Sequence, residues 1–179
     1  MPQPLRGRLS EGTTQGSHVL RARLNCAALI GILVAEWASL EDNLTFMFGI
    51  ATADIVREPS PSFIFHPVAM AVMSTLDSLN ARLNVISTSL EKILPQDQQN
   101  EFDTLATSIR KLARSRNLVV HGQWGINARY PNEIILIENR ENYILYNEID
   151  FNDIIDRIIR KSGDILQFSH NVQEYLTSQ

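Results

Sequence analysis

A run of apolar residues between positions 102 and 119 constrains the fold of this chain more than any other feature. The run consists of Phe102, Leu105, Ile109, Leu112 and Val119. Their spacing places all five on one face of a helix, and Arg116 falls on the same face. Because a guanidinium group does not lose its proton, an arginine that faces a core must meet an anion or line a polar cavity. The sequence therefore indicates that Arg116 binds an anion or lines a polar cavity.

Helical periodicity predicts four long helices. Three run from about residue 18 to 51, from 67 to 94 and from 96 to 121, and Asp150 is the expected N-cap of the last. The prolines of Glu58–Ser62 separate the first two helices, because paired prolines cannot continue a helix.

Two short runs before the last helix, Ile134–Ile137 and Tyr143–Tyr146, predict a hairpin. The sequence thus predicts an all-α fold, a four- to five-helix bundle with a short β-hairpin inserted before the last helix. Residues 1–17 are polar and rich in Pro, Gly, Ser, Thr and Gln, so we expect a flexible N-terminal tail there. Residues 18–179 are expected to form a single helical domain.

The composition, 44% hydrophobic and 20% charged over 179 residues, is typical of a soluble globular protein. The single cysteine, Cys26, excludes an internal disulfide, and we expect it to be buried in a protein of a reducing compartment. The apolar run Cys26–Ala38 is interrupted by Glu36 and is too short to span a bilayer. We therefore expect a cytoplasmic location and no membrane partner.

The formal net charge of −4 means that RNA would have to bind at a local cluster of positive side chains. Arg110, Lys111 and Arg114, which lie upstream of Arg116 on the same predicted helix, are the candidates for binding an RNA backbone. The alternative is that each of them lies on a solvated helix face.

Arg116, Asn117 and His121 lie close together at the end of the third predicted helix, directly before Gly122. Such residues can act on a phosphodiester without a metal ion, because histidine exchanges protons near neutral pH and arginine donates two hydrogen bonds to phosphate oxygens. Asn117 shares a helix face with His121, so it can orient the imidazole or bind a phosphate oxygen. No histidine pair has metal-ligand spacing, and we expect neither a metal nor another cofactor.

Each residue of this motif also has a structural interpretation. His121 can cap the carboxyl end of the helix, where a positive charge is favourable. Asn117 can be solvated. Arg116 can pair with Glu41, a supporting residue near an apolar stripe of the first helix, and this pair is compatible with catalysis because it would hold the guanidinium in place.

The motif resembles the R-x4-6-H signature of the HEPN domain superfamily, and Trp37 and Glu41 match a W-x-x-x-E pattern in its first long helix. The resemblance extends from about residue 18. It implies a helical bundle that acts as a homodimeric, metal-independent endoribonuclease, a toxin or phage-defence effector controlled by an antitoxin or activator protein. In the implied reaction, Arg116, Asn117 and His121 are the catalytic residues, and the RNA 2′-hydroxyl attacks its neighbouring phosphate.

Other members of that superfamily do not catalyse, so a HEPN-like dimer that only binds a nucleotide, RNA or a protein partner is the alternative. A third hypothesis is a helical interaction domain outside this superfamily, in which the motif occurs by chance. The discriminator is whether Arg116 and His121 point into one shared, solvent-accessible cleft, and catalysis is disfavoured if either side chain is turned into the protein. Residues five apart are separated by about 140° around a helix. One phosphate meets both side chains only if the last turn is distorted or a second subunit supplies its motif to the same cleft.

Overall fold

The computed structural model describes residues 2–5, 12–16, 18–57, 62–138 and 142–179. The helices in these ranges are α1 (Leu24–Ala51), α2 (Pro67–Ser74), α3 (Leu79–Leu90), α4 (Gln96–His121) and α5 (Glu148–Ser178). The strands are β1 (Gln3–Leu5), β2 (Thr13–Gln15), β3 (Asp54–Val56), β4 (Ser62–Ile64), β5 (Gln123–Asn127), β6 (Ile134–Ile137) and β7 (Tyr143–Tyr146).

The chain divides into two compact units. The first comprises Met1–Trp37 and Leu112–Ile158, and the second comprises Ala38–Lys111 and Ile159–Gln179.

The first unit contains a five-stranded antiparallel sheet with the strand order β1-β7-β6-β5-β2. The central strand β6 has three consecutive buried residues, at positions 134–136. Beside it, the rings of Trp124, Tyr146 and Phe151 pack with their centroids 5.4 to 5.8 Å apart. Burial of these large aromatic and aliphatic side chains stabilises the first unit.

The expectation of an all-α bundle is therefore wrong, because the fold is mixed α/β, with this sheet and a separate two-stranded sheet of β3 and β4. The predicted hairpin is present as β6 and β7, but it forms the middle of a sheet. β5 carries little sequence signal, because Gly125 and Asn127 are poor strand formers. β1 and β2 have three residues each, too few to show an alternating pattern, and depend on backbone pairing with strands distant in sequence.

Both edge strands of the sheet come from the predicted flexible tail of residues 1–17. β1 pairs with β7 and β2 pairs with β5, and the Asn127 side-chain amide donates a hydrogen bond to Thr13 Oγ1 at 3.1 Å. Residues 1, 6–11 and 17 of that segment lie outside the described residues. The part of the tail that the structure describes is thus largely sheet.

The second unit contains α2, α3, the β3–β4 hairpin and parts of the three long helices. Two aromatic pairs, Phe102 with Phe168 and Phe46 with Phe65, each have ring centroids 5.8 Å apart. Phe102 belongs to the apolar stripe that predicts α4, and the stripe does face a core. The periodicity argument for this helix is confirmed, with α4 starting at the predicted residue.

Other helix boundaries differ from the predicted ones. The helix predicted over 67–94 is divided into α2 and α3, because Ser78 Oγ accepts a hydrogen bond from the Ala81 N–H at 3.1 Å and caps a new helix. α1 begins at Leu24, after a short 3-10 turn at Leu20–Ala22. The prolines of the predicted break lie outside the described residues.

Among the described helices, α1 is long and apolar enough to cross a membrane by length and composition. The run Cys26–Ala38, on which the expectation of no membrane span was based, is only part of this 28-residue helix. A core helix of a soluble protein meets the same criteria. The cytoplasmic location therefore stays a prediction.

Candidate functional site

Helix α4 ends at His121, and the chain enters β5 directly through Gly122. A Cβ atom on Gly122 would collide with the carbonyl oxygen of Leu118 and with the side chain of Leu136. Only a glycine therefore leaves room for this connection, which brings the last turn of α4 next to β6. The predicted helix stop at Gly122 is confirmed.

An open groove of about 720 Å³ lies where the last turns of α4 meet the sheet of the first unit. We call it the α4 groove. It is lined by Arg114, Asn117, Leu118, His121, Gly122, Gln123, Leu136, Ile137 and Glu138. Arg114, Asn117 and His121 are spaced three and four residues apart, so they lie on one face of the helix.

The cation and the imidazole of the α4 groove are available to a ligand. Arg114 and His121 are both exposed, and neither side chain makes a hydrogen bond or ion pair with another described residue. Asn117 is also exposed, and its Oδ1 accepts a hydrogen bond while its side-chain amide nitrogen donates none to the described residues. Three polar side chains of α4 thus present to one groove an imidazole and donors that no other described residue occupies.

Arg116, the arginine of the predicted catalytic pair, does not line the α4 groove. It is half-buried, its Nη1 donates a hydrogen bond to Asn117 Oδ1 at 3.0 Å, and its Cζ lies 5.8 Å from the ring centroid of Trp37. Its Nε is buried and has no hydrogen-bond partner among the described residues. The guanidinium therefore meets an aromatic face, which attracts a cation, instead of the anion or polar cavity that its stripe position suggests.

Asn117 connects this arginine to the groove. It accepts the hydrogen bond from Arg116 and lines the α4 groove beside His121. Arg116 is not among the described residues that line the α4 groove with His121, in agreement with the angle of about 140° that separates the two on a helix. The structure brings together Asn117 and His121 directly, and Arg116 only through Asn117.

Glu41, the predicted partner of the arginine, belongs to the second unit. There its Oε2 lies 3.9 Å from Nη1 of Arg82. Arg82 also donates from Nε to the carbonyl oxygen of Leu76 at 2.8 Å. This ion pair joins α1 to α3.

The three cations predicted to bind an RNA backbone have different surroundings. Arg114 lines the α4 groove. Arg110 donates from Nε to Asn80 Oδ1 at 3.2 Å and from its terminal nitrogen to Asn84 Oδ1 at 3.0 Å, so its guanidinium is tied to α3. Lys111 is exposed. Of the three, Arg114 is the one whose charge the structure assigns to the groove.

Five further residues of the groove, Leu118, Gln123, Leu136, Ile137 and Glu138, were not predicted from the sequence. Four of them come from the sheet or its end, and they reach α4 only because Gly122 turns the chain so tightly. The predicted hairpin and the predicted glycine stop were the available signals. Neither showed that the hairpin would face the end of α4.

The structure describes no group of three or more His, Cys, Asp or Glu side chains placed to hold a metal ion, within the residues it covers. Among the described residues that line the α4 groove there are one imidazole and one carboxylate. Metal independence stays a prediction that rests on the chemistry of these side chains.

No protein-family model matches this chain, and neither the curated proteins nor the solved structures include a significant match. The HEPN resemblance therefore rests on the motif and its position at the end of α4.

Proposed function

We propose that this protein is a metal-independent endoribonuclease of HEPN type that binds RNA in the α4 groove. The observation that carries the proposal is that Arg114, Asn117 and His121 line one open groove at the end of α4. Arginine and carboxamide groups bind phosphate oxygens, and an imidazole exchanges protons at neutral pH. A phosphodiester in the groove would meet both kinds of group.

In the proposed reaction, the 2′-hydroxyl oxygen attacks the adjacent phosphorus while its proton leaves, and the bond to the 5′-oxygen of the next nucleotide breaks. His121 takes part in this proton transfer, and Arg114 stabilises the negative charge that develops on the phosphate. The products carry a 2′,3′-cyclic phosphate and a 5′-hydroxyl. Arg116 is a positioning residue here, since it acts on the groove through Asn117.

The reaction needs one proton removed and another delivered, whereas the groove of one chain contains a single imidazole. We therefore propose a homodimer in which a two-fold axis brings two copies of the α4 groove together. The superfamily resemblance suggests the same, together with a cytoplasmic toxin or phage-defence role under an antitoxin or activator protein.

A second candidate function is RNA binding without cleavage. The position of Arg116 over Trp37, outside the α4 groove, favours it, because the motif arginine is then absent from the place where a phosphate would react. Arg114 and Asn117 are sufficient for phosphate binding in this case.

Incubation of the protein with total RNA in excess EDTA tests the proposal. We expect wild-type protein to cleave RNA, and His121→Ala to lose activity by about 100-fold or more with an unchanged circular dichroism spectrum. His170→Ala, at an exposed position of α5, is the matched control and should cleave normally. Wild-type protein that retains RNA in a gel-shift assay without cutting it would instead establish the second candidate, and cleavage only with added magnesium would refute the metal-independent mechanism.

A further inference from the structure

The first half of α1 has an exposed apolar surface. An 18-residue window of this helix has a mean hydropathy of 1.4, yet only 22% of that window is buried. Leu24 is 71% exposed, Ile32 is 47% exposed, and Ala28 between them is exposed as well. These three residues are spaced four apart, so they lie along one side of the helix, which we call the α1 face.

The opposite side of the same helix already packs against its own chain. Cys26, Leu33 and Trp37 are each 4% exposed or less, so they hold α1 in place. An exposed aliphatic side chain alone is ordinary, whereas a contiguous apolar surface marks an interaction site. The α1 face is therefore a surface that the described residues of the chain leave open to a partner.

Charges of opposite sign flank the α1 face. Arg21 lies three residues before Leu24 and is exposed, and Glu36 lies four residues after Ile32 and is half-buried. Neither side chain makes a hydrogen bond or an ion pair with another described residue. From Leu24 to Ala35 the sequence contains no charged residue. The surface is thus uncharged in its middle, positive at one end and negative at the other.

We infer that the α1 face is the dimer interface of this protein and that the antiparallel α1 of a second copy covers it; this inference rests on the homodimer of the proposed function. A two-fold axis near Ala28 places Leu24 against Ile32 of the partner subunit, with the small alanine side chains at the centre. It also places Arg21 opposite Glu36 of the partner subunit, twice over. An antiparallel pair of helices has favourably opposed dipoles as well.

The same half of α1 lies close to the proposed reaction site. Ile30 lines a cavity of about 330 Å³ together with Val119, Val120 and Gly122 at the end of α4. Gly122 also lines the α4 groove. A dimer formed through α1 therefore has the end of each α4 near its interface, which suits a reaction that uses two copies of the groove.

A lipid bilayer also covers apolar helices, but the charges of α1 favour a second copy. Helices that lie on membrane surfaces have lysine and arginine residues beside their apolar side, and these residues are attracted to anionic lipids. The sequence of α1 contains no lysine or arginine, and it contains the acidic residues Glu36, Glu41 and Asp42. The formal net charge of the chain, −4, opposes binding to an anionic bilayer as well.

Sedimentation equilibrium at micromolar concentrations, without RNA, tests the inference. We expect wild-type protein to be dimeric. Ile32→Glu should weaken dimerisation by about 100-fold or more, because it buries an unpaired carboxylate on each side of the interface. Val68→Glu is the matched control: Val68 is a 65% exposed aliphatic residue of α2, and its substitution should leave dimerisation unchanged.

Reversal of the flanking charges tests the antiparallel arrangement. Arg21→Glu and Glu36→Arg each bring like charges together, and each should weaken dimerisation by about 10-fold. The double variant Arg21→Glu/Glu36→Arg restores opposite charges, so its dissociation constant should return to within about 3-fold of the wild-type value. A double variant as weak as the two losses combined would overturn the arrangement, since a purely structural role of either residue predicts no such rescue.

Wild-type protein that is monomeric at these concentrations, or Ile32→Glu protein that dimerises like wild type, would overturn the inference. Co-sedimentation with vesicles of phosphatidylcholine and phosphatidylserine gives a further outcome: wild-type binding that Ile32→Glu abolishes would show that a bilayer covers the α1 face, and would overturn it too. A dimer that Ile32→Glu dissociates but that leaves RNA uncut would support the interface and contradict the ribonuclease. A monomer that cleaves RNA would contradict the interface and leave the ribonuclease standing.

Discussion

Arg116 donates a hydrogen bond from Nη1 to Oδ1 of Asn117 at 3.0 Å, so the arginine of the motif meets its neighbour in the sequence and not the groove that contains His121. Its Cζ lies over the ring of Trp37, 5.8 Å from the ring centroid. One directed hydrogen bond and the attraction of the cation to the Trp37 ring thus act on this guanidinium. We propose that Arg116 acts through this hydrogen bond and not through its charge alone.

We predict that Arg116→Lys will be about as inactive in RNA cleavage as Arg116→Ala, each with a turnover lowered by roughly 100-fold. Lysine keeps the charge near Trp37, but it has no planar guanidinium fork with which to hold Asn117 in the same geometry. Cleavage rates at saturating RNA, with the Michaelis constant measured separately, will show the effect in turnover. Arg157→Lys, in an exposed pair with Asp153, is the control that should retain activity.

If Arg116→Lys cleaves RNA at nearly the wild-type rate, charge alone is sufficient, and the positioning role is wrong. Unfolding by urea must be measured for both variants, because a loss of folded protein would lower the apparent turnover as well. Equal stability with unequal activity is the result that assigns the effect to the site.

The second prediction concerns the turn between α4 and β5. Gly122→Ala should lower the free energy of unfolding by about 1–3 kcal/mol, because the new methyl group meets the Leu118 carbonyl oxygen and the Leu136 side chain. Gly31→Ala is the matched control: a Cβ there meets nothing within 4 Å, and alanine in a helix interior is favoured over glycine by about 0.5–1 kcal/mol. Urea unfolding should therefore show opposite signs for the two substitutions, and equal effects would contradict the described turn.

The parts of the fold that local sequence determines were predicted well. The bounds of α4, its stop at Gly122 and the strands β6 and β7 all follow from periodicity, a glycine and runs of β-prone residues. Cys26 is buried as expected among small apolar neighbours. In each case the residues that carry the sequence pattern lie within a few positions of the element whose structure they predict.

The parts that depend on distant pairing were not predicted. β2 acquires its structure from β5, more than a hundred residues later. β2 contains no apolar residue, and the alternation in β5 is limited to Trp124 and Ile126 with a glycine between them. The surroundings of Arg116 are another example: its spacing showed that it faces inward, but the ring of Trp37 that it meets belongs to a helix far away in the sequence. Sequence periodicity shows which face of a helix is buried and does not show what covers it.

The third prediction concerns alkaline stability. Burial, reinforced by the negative charge of Glu148, raises the pKa of the Cys26 thiol above its ordinary value of 9.0. Burial also raises the pKa of Tyr146 above its ordinary value of 10.0, and the negative charge of Asp150 adds to this effect. A group with a raised folded-state pKa contributes its full stabilisation below the unfolded-state pKa, and this stabilisation is lost as pH rises through the folded-state value.

The melting temperature should therefore fall as pH rises above about 9, where the unfolded chain begins to release these protons first. Cys26→Ala and Tyr146→Phe should each make this fall shallower, since neither variant has the corresponding proton to lose. Thermal unfolding followed by circular dichroism at a series of pH values is the measurement. A fall with the same slope in wild type and in both variants would show that other groups cause it.

The last prediction concerns the number of α4 grooves that a reaction needs. If two imidazoles act on one phosphate across a two-fold axis, a dimer with one His121→Ala subunit is inactive even though its other subunit is intact. Equal amounts of wild-type and His121→Ala protein, mixed and allowed to exchange subunits, would then leave about one quarter of all dimers fully wild type, compared with one half before exchange. RNA cleavage should fall about 2-fold as exchange proceeds, and a mixture of wild-type protein with the His170→Ala control should show no fall.

Mixing Arg116→Ala with His121→Ala should restore no activity, because Arg116 contacts Asn117 of its own helix and each chain of the mixed dimer then carries a damaged site. Light scattering at micromolar concentration must show a dimer for these tests to apply. A monomer that cleaves RNA, or a mixture whose activity does not change on exchange, would place the whole reaction within a single chain.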